Sequence, residues 1–163
     1  MHILLFLAAA LHAQCAEDRG PSDRLIAALI QVESVGKDDA VGDLNLENHA
    51  YGPLQIRQPV CDDVNEHFGT SFRADQCLGN RSLSIQIFRR YVSLHATRRS
   101  LGHAPRDEDY ARIWNGGPSG WHRECTKKYW EKVLSVGRPE HRPKIRRAHR
   151  GRSRHRSIRG TRR

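Results

Sequence analysis

The chain has 163 residues, which is enough for one hydrophobic core but too few for two independent ones. Its formal net charge of +10 is unevenly placed, because residues 138–163 hold twelve Lys or Arg and the single acid Glu140, a charge of +11. Residues 1–137 therefore carry only −1, which excludes a strongly basic folded domain.

Residues 1–16 have the pattern of a secretory signal peptide. The apolar run at residues 3–11 is too short to anchor a chain in a bilayer, and small residues follow it. We expect cleavage near Ala13 or Ala16, a secreted, periplasmic or cell-envelope location, and no transmembrane segment after cleavage. A buried N-terminal helix is the alternative.

The first helix of the folded part is predicted to follow Ser22, a residue type that caps helix N-termini. Apolar residues recur at helical spacing up to about Ser34, and Gly36 is expected to end the helix. Residues 36–56 are rich in Gly, Asp and Asn and contain short alternating stretches. This composition predicts a small β-hairpin region.

Four more helices are predicted from apolar periodicity and from capping residues, at residues 58–68, 80–99, 107–114 and 124–136. Pro59 suits the first turn of the earliest of them and Gly69 its end, while Asn80 suits an N-cap. The sequence has no βαβ rhythm and no glycine-rich phosphate loop, which argues against a nucleotide enzyme. The expected fold of residues 20–137 is therefore one α+β domain that is mostly α.

Cysteine spacing predicts one disulfide between Cys61 and Cys77, which enclose a 15-residue interval. Closing such a loop would contribute about 3 kcal/mol to stability by the chain-entropy estimate. Cys125 is then left to pair with Cys15 or to remain a thiol. No spacing of cysteine and histidine suits zinc, so neither a metal nor a cofactor is expected.

Residues 138–163 are predicted to be a disordered, Arg-rich tail, because the segment has too few apolar residues to offset the entropy of ordering it. Such a tail can adhere electrostatically to a polyanion, for example an anionic wall polymer. A solvated tail that only aids solubility is the alternative.

Glu33 is the candidate catalytic acid, because it follows Val32 near the C-terminal end of the first apolar helix. Cleaving a glycosidic bond needs a carboxylic acid that stays protonated near neutral pH. Burial against apolar neighbours and the negative end of the helix dipole both favour that neutral form. A solvated glutamate with no catalytic role is the alternative.

Two further segments carry groups suited to a saccharide. Within residues 51–56, Gly and Pro predict a turn, and Gln55 offers both donor and acceptor groups. Further along, Trp114 has a flat face for stacking on a sugar, and Asn115 can bond an N-acetyl group. An exposed amide on an ordinary strand and a core tryptophan ahead of a loop are the alternatives.

Together these segments resemble the lysozyme-like superfamily of peptidoglycan-cleaving enzymes. Three strings resemble motifs of goose-type lysozymes and lytic transglycosylases: the Glu-Ser pair at 33–34 their catalytic Glu-Ser, AYGPLQI at 50–56 their Gly-Leu-Met-Gln-Ile, and ARIWNGG at 111–117 their Ala-Tyr-Asn-Gly-Gly. Residues 109–120 and 129–133 are similar to invertebrate-type lysozymes. The resemblance covers about residues 22–134 and departs from the motif at Pro53 and Leu54.

The resemblance implies a lysozyme-like fold with a small β-hairpin region beside the catalytic cleft. It implies that Glu33 is the general acid and that five residues contact the saccharide: Ser34, Tyr51, Gln55, Trp114 and Asn115. Asp43 is the candidate second acid, Glu47 is the fallback, and a mechanism with no second acid stays open.

The activity implied by the resemblance is that of a muramidase, which cleaves the β-1,4 bond between N-acetylmuramic acid and N-acetylglucosamine. Water is the acceptor in hydrolysis, whereas the C6 hydroxyl of the sugar is the acceptor in lytic transglycosylation. The expected partner is the glycan strand of peptidoglycan, and the protein is expected to be a monomer. A non-catalytic module that binds peptidoglycan or chitin and adheres through its cationic tail is the alternative.

Overall fold

The computed structural model describes residues 20–137. The predicted signal peptide, Cys15 and the predicted basic tail lie outside the described residues. The described part contains six α-helices and a two-stranded sheet: α1 Asp23–Ser34, β1 Val41–Gly42, β2 Ala50–Tyr51, α2 Gln58–Phe68, α3 Arg81–His95, α4 Arg98–Leu101, α5 Asp107–Gly116 and α6 Lys127–Val136. Short 3₁₀ helices cover Ala74–Cys77, Gly120–His122 and Glu124–Thr126.

Helix α1 begins where its capping residue predicts. The Ser22 hydroxyl accepts a hydrogen bond from the backbone N–H of Leu25 at 3.0 Å. The helix ends at Ser34 as expected, and the two residues after it, Val35 with φ 55° and Gly36 with φ 81°, both take left-handed conformations. The apolar face of α1 packs against α5 and α6, which brings three helices together at its C-terminal end.

The predicted β-hairpin region is present and small. Val41 pairs with Tyr51 and Gly42 with Ala50 in antiparallel register. A tight turn follows at Gly52, whose φ is 73°. A Cβ at Gly52 would lie 2.3 Å from the carbonyl oxygen of Cys77, so the turn requires glycine for both its conformation and its close approach.

The remaining helices differ from expectation mainly at their ends. The predicted bounds of α2 are confirmed, with Gly69 as its left-handed C-cap. Helix α3 ends at His95 rather than near residue 99, because Thr97 caps the separate short helix α4. The final helix starts as a 3₁₀ turn before α6.

The core lies where α1, α3 and α5 meet the turn that follows β2. Its largest fully buried side chains include Phe88, Leu29, Leu54, Ile56, Ile87 and Ile113. The predicted fold class is confirmed: the described part is mostly helical with one small antiparallel sheet. Within residues 20–137, no helix is both long enough and apolar enough to cross a membrane.

Candidate functional site

Glu33 lies near the C-terminal end of α1, half-buried where α5 and α6 pack against that helix. The Tyr129 hydroxyl on α6 donates a hydrogen bond to Glu33 Oε1 at 2.5 Å. The side chain of Trp114 on α5 is also close enough to the carboxyl to lower its pKa, although less than Tyr129 does. Side chains from two different helices therefore set the environment of the candidate acid.

The Trp114 side chain is itself fixed by the core. Its ring meets Phe88 edge-on at 5.1 Å between centroids and Tyr91 edge-on at 5.8 Å. Trp114 is half-buried, so part of the ring is packed in the core and part is accessible. Asn115, the next residue, is exposed on the last turn of α5.

Burial raises the pKa of Glu33 above its ordinary value, and the nearby charge of Asp43 raises it further. The hydrogen bond from Tyr129, the charge of Lys132 and the contact with Trp114 act in the opposite direction. Burial is the largest of these effects, so the net pKa shift of Glu33 is upward. A carboxyl in this environment can remain protonated where an exposed glutamate would be ionised.

Asp43 follows β1 and faces the site from the hairpin side. Its carboxylate pairs with the guanidinium of Arg57, and its backbone is left-handed with φ 55°. It lies close enough to Glu33 for its charge to affect the pKa of that residue. The structure therefore brings the two predicted acids into one electrostatic environment.

Glu47 and Tyr51 line a crevice of about 300 Å³ between the hairpin loop and the 3₁₀ helix Ala74–Cys77. Tyr51 is half-buried there, and its ring lies 6.2 Å from that of His49 between centroids. The lining is mainly polar, with these residues contributing: Glu47, Asn48, His49, Tyr51, Gln58, Arg73, Ala74 and Asp75. Such a lining suits a hydrophilic ligand.

Ser34 and Gln55 are engaged in internal hydrogen bonds. The buried Ser34 hydroxyl donates to the carbonyl of Ile30 at 3.1 Å, which occupies the group expected to contact substrate. The Gln55 amide donates to the carbonyls of Gly52 at 2.9 Å and Ala40 at 3.3 Å. These two side chains therefore hold the backbone around the site.

Cys61 and Cys77 are fully buried and carry unbonded thiols in the structure, so the expected disulfide is not formed in it. Burial, reinforced by Cys77 and nearby carboxylates, raises the pKa of Cys61 to about 12. The pairing of Cys61 with Cys77 stays a prediction. Cys125 is exposed.

Among residues 20–137, no group of three or more His, Cys, Asp or Glu is arranged to hold a metal ion.

Sequence reasoning missed three contacts of the acids: Tyr129, Lys132 and Arg57. Tyr129 and Lys132 lie three residues apart, so one face of α6 presents both to Glu33. That spacing is visible in the sequence, but the identity of the opposing helix is not. Arg57 directly precedes α2, a position with no local signal for pairing with Asp43.

Comparisons with known proteins identify the fold. The crystal structure of Tapes japonica lysozyme superposes with a TM-score of 0.60 at 26% identity, over 71% of this chain and 89% of that one. The chain has the lysozyme fold. No protein-family model matches it.

Two curated relatives of this chain are named lysozymes. A lysozyme from Magallana gigas is 34% identical over 90 residues, which are 55% of this chain and 62% of that protein. An invertebrate-type lysozyme from Ruditapes philippinarum is 27% identical over 116 residues, 71% of this chain and 81% of the relative. The chain thus has invertebrate-type lysozyme homologues, whereas the resemblance to goose-type lysozymes and lytic transglycosylases depends on the short motifs alone.

Proposed function

We propose that the chain is a muramidase that cleaves the β-1,4 bond between N-acetylmuramic acid and N-acetylglucosamine in peptidoglycan. The main support is the environment of Glu33, a half-buried carboxyl with a raised pKa and a fixed hydrogen-bond donor. The similarity to proteins named lysozyme supports the same reaction class. The chain spans only 62% of the length of the Magallana gigas relative.

Glu33 is the proposed general acid. In its protonated form it transfers a proton to the glycosidic oxygen as the bond to the anomeric carbon breaks. Burial raises the pKa of Glu33 and so favours the protonated carboxyl, since the ionised form would lose solvation at this position. After the transfer, the Glu33 carboxylate is a base that can accept a proton from the incoming hydroxyl.

Asp43 is the proposed second carboxylate, and its presence favours hydrolysis. An ionised Asp43 can stabilise the oxocarbenium-like transition state or position a water molecule. Its ion pair with Arg57 supports this role by fixing the carboxylate on the hairpin side of the site. Lytic transglycosylation needs only Glu33, with the C6 hydroxyl closing a 1,6-anhydro ring, and it remains the alternative.

The saccharide is proposed to contact Tyr51, the accessible part of Trp114, and Asn115. Gln55 and Ser34 contribute by holding the turn and the helix end in place, because their polar groups already have internal partners.

The proposed location is outside the cell, because residues 1–16 have the apolar pattern of a signal peptide.

Mass spectrometry of peptidoglycan digested with the purified mature chain tests the function. Hydrolysis releases fragments with reducing ends, lytic transglycosylation releases 1,6-anhydro ends, and intact glycan contradicts both. We expect Glu33→Gln to lower the rate by at least about 100-fold, the usual contribution of a general acid. The matched control is Glu66→Gln, which changes an exposed glutamate on α2.

Two further variants separate the candidates for the second acid. Asp43→Asn is expected to reduce turnover strongly, and Glu47→Gln is expected to reduce it less. A larger loss of turnover for Glu47→Gln than for Asp43→Asn would identify Glu47 as the second acid. If the wild-type chain binds peptidoglycan but cleaves it no faster than the Glu33→Gln variant does, the chain is a binding module.

A further inference from the structure

We propose that Tyr129 is the positioning residue of the acid: its hydroxyl occupies Glu33 Oε1, so that the transferable proton is held on Oε2. This inference rests on the proposed function, since it assigns the proton that the muramidase reaction would use. Neither the motifs nor the comparisons assign a role to Tyr129.

The first support is geometric. The Tyr129 oxygen lies 2.5 Å from Glu33 Oε1, a short separation between residues that are 96 positions apart in sequence. A phenol has one hydrogen to donate, and the structure of residues 20–137 gives this hydroxyl no other acceptor. The Tyr129 hydrogen is therefore committed to Oε1, and a proton on the carboxyl resides on the other oxygen.

The second support is that the Tyr129 hydroxyl remains protonated at any working pH. Burial raises the pKa of Tyr129 far above its ordinary value, and the charge of Glu33 raises it further. The Tyr129 hydroxyl therefore keeps its proton, and can donate it in a hydrogen bond, while Glu33 titrates. The carboxyl keeps one orientation in both its acid and base forms, which is what two successive proton transfers require.

Four neighbours act on the titration of Glu33 from three sides. Tyr129 and Lys132 face it from α6, Trp114 from α5, and Asp43 from the hairpin loop. The Tyr129 hydrogen bond favours the ionised form of Glu33, because a carboxylate accepts a hydrogen bond more strongly than a carboxylic acid does. Loss of that bond must raise the pKa of Glu33, with burial left as the dominant effect.

The test is Tyr129→Phe in the full mature chain, with kcat and KM measured against pH on soluble peptidoglycan oligosaccharides. Phenylalanine keeps the packed ring and removes the donor. We expect kcat to fall about 10- to 100-fold, KM to change little, and the alkaline limb of the pH profile to move to higher pH. Tyr110→Phe is the matched control, since it removes another buried tyrosine hydroxyl and should leave the alkaline limb in place.

Site-specific 3-fluorotyrosine at position 129 supplies a second measurement in case Tyr129→Phe folds poorly. Fluorine makes the phenol a stronger donor and retains the ring, so the alkaline limb should move to lower pH, opposite to the phenylalanine variant. If the wild type is active and the alkaline limb has the same position in both variants as in wild type, the positioning role is overturned. An inactive wild type would instead overturn the proposed function, so the two failures are distinguishable.

Discussion

The carboxylate of Asp43 pairs with the guanidinium of Arg57, which ties the loop after β1 to the residue preceding α2. The Arg57 and Asp43 side chains are 43% and 38% exposed, so an ion pair of this kind contributes only about 0–1 kcal/mol to stability. The main effect of the ion pair is to fix the orientation of the Asp43 carboxylate, on a residue whose backbone is left-handed.

Replacing Arg57 with Gln should therefore affect catalysis more than folding. We expect kcat on soluble oligosaccharides to fall about 10-fold, since a freely rotating Asp43 spends less time in the productive geometry. The free energy of unfolding should change by less than about 1 kcal/mol. Denaturation curves and initial rates on the same preparation measure both effects. Arg81→Gln, which removes a pair of similar exposure with Asp38, is the control, and equal rate losses in the two variants would contradict the prediction.

The raised pKa of Glu33 predicts how stability depends on pH. Because burial places the folded-state pKa above the unfolded value of 4.5, the neutral form stabilises the fold below pH 4.5. That contribution is lost as the pH rises through the folded-state pKa. Glu33→Gln stays neutral throughout, so its Tm relative to wild type should increase between pH 4 and pH 8.

Thermal unfolding of wild type and Glu33→Gln across this pH range measures the difference. Glu66→Gln is the control, since an exposed glutamate should give a difference that does not grow with pH. A constant difference for Glu33→Gln as well would mean that Glu33 is ionised as easily in the folded chain as in the unfolded one.

Cys61 and Cys77 are expected to be joined in protein purified under oxidising conditions. Peptide mapping without reduction should recover them as one linked pair, and reduction should lower the free energy of unfolding by about 3 kcal/mol. Cys125→Ser should leave both results unchanged, because that residue is exposed and outside the pair. Recovery of both cysteines as alkylated thiols from the unreduced protein would show that the bond does not form.

Removing residues 138–163 should separate adhesion from cleavage. A chain ending at Gly137 keeps the hydrogen bonds from Arg24 to the Gly137 carbonyl, at 3.1 and 2.8 Å, so the end of α6 stays attached to α1. We expect weaker sedimentation with whole peptidoglycan at low salt, a smaller difference at high salt, and equal kcat on soluble oligosaccharides.

A full-length variant with the tail arginines changed to glutamine provides the control for charge. It should match the truncated chain in wall binding. If it instead binds as tightly as wild type, the tail acts through something other than its positive charge. Loss of oligosaccharide cleavage on truncation would show that residues 138–163 are needed for catalysis.

Local signals in the sequence were sufficient for the helical framework. Ser22, Asn80 and Gly69 each act within three or four residues of the chain, by supplying a cap or a left-handed conformation. Apolar periodicity is likewise a property of one segment. The position of Glu33 on the apolar helix, and hence its candidacy as the acid, follows from the same short-range information.

The partners of the acids are a different matter, because they come from elements that are distant in the sequence. Tyr129 reaches Glu33 only through the packing of α6 on α1, and Arg57 reaches Asp43 only when the hairpin meets the start of α2. The internal partners of Ser34 and Gln55 are local by contrast, since Ser34 donates to Ile30 four residues away and Gln55 donates to Gly52 three residues away. The sequence by itself determined which helices form and which carboxyl is candidate for catalysis, since caps and periodicity are local. Only the tertiary structure decided which side chains set the pKa of that carboxyl, because burial and hydrogen bonding depend on groups that meet when the helices pack.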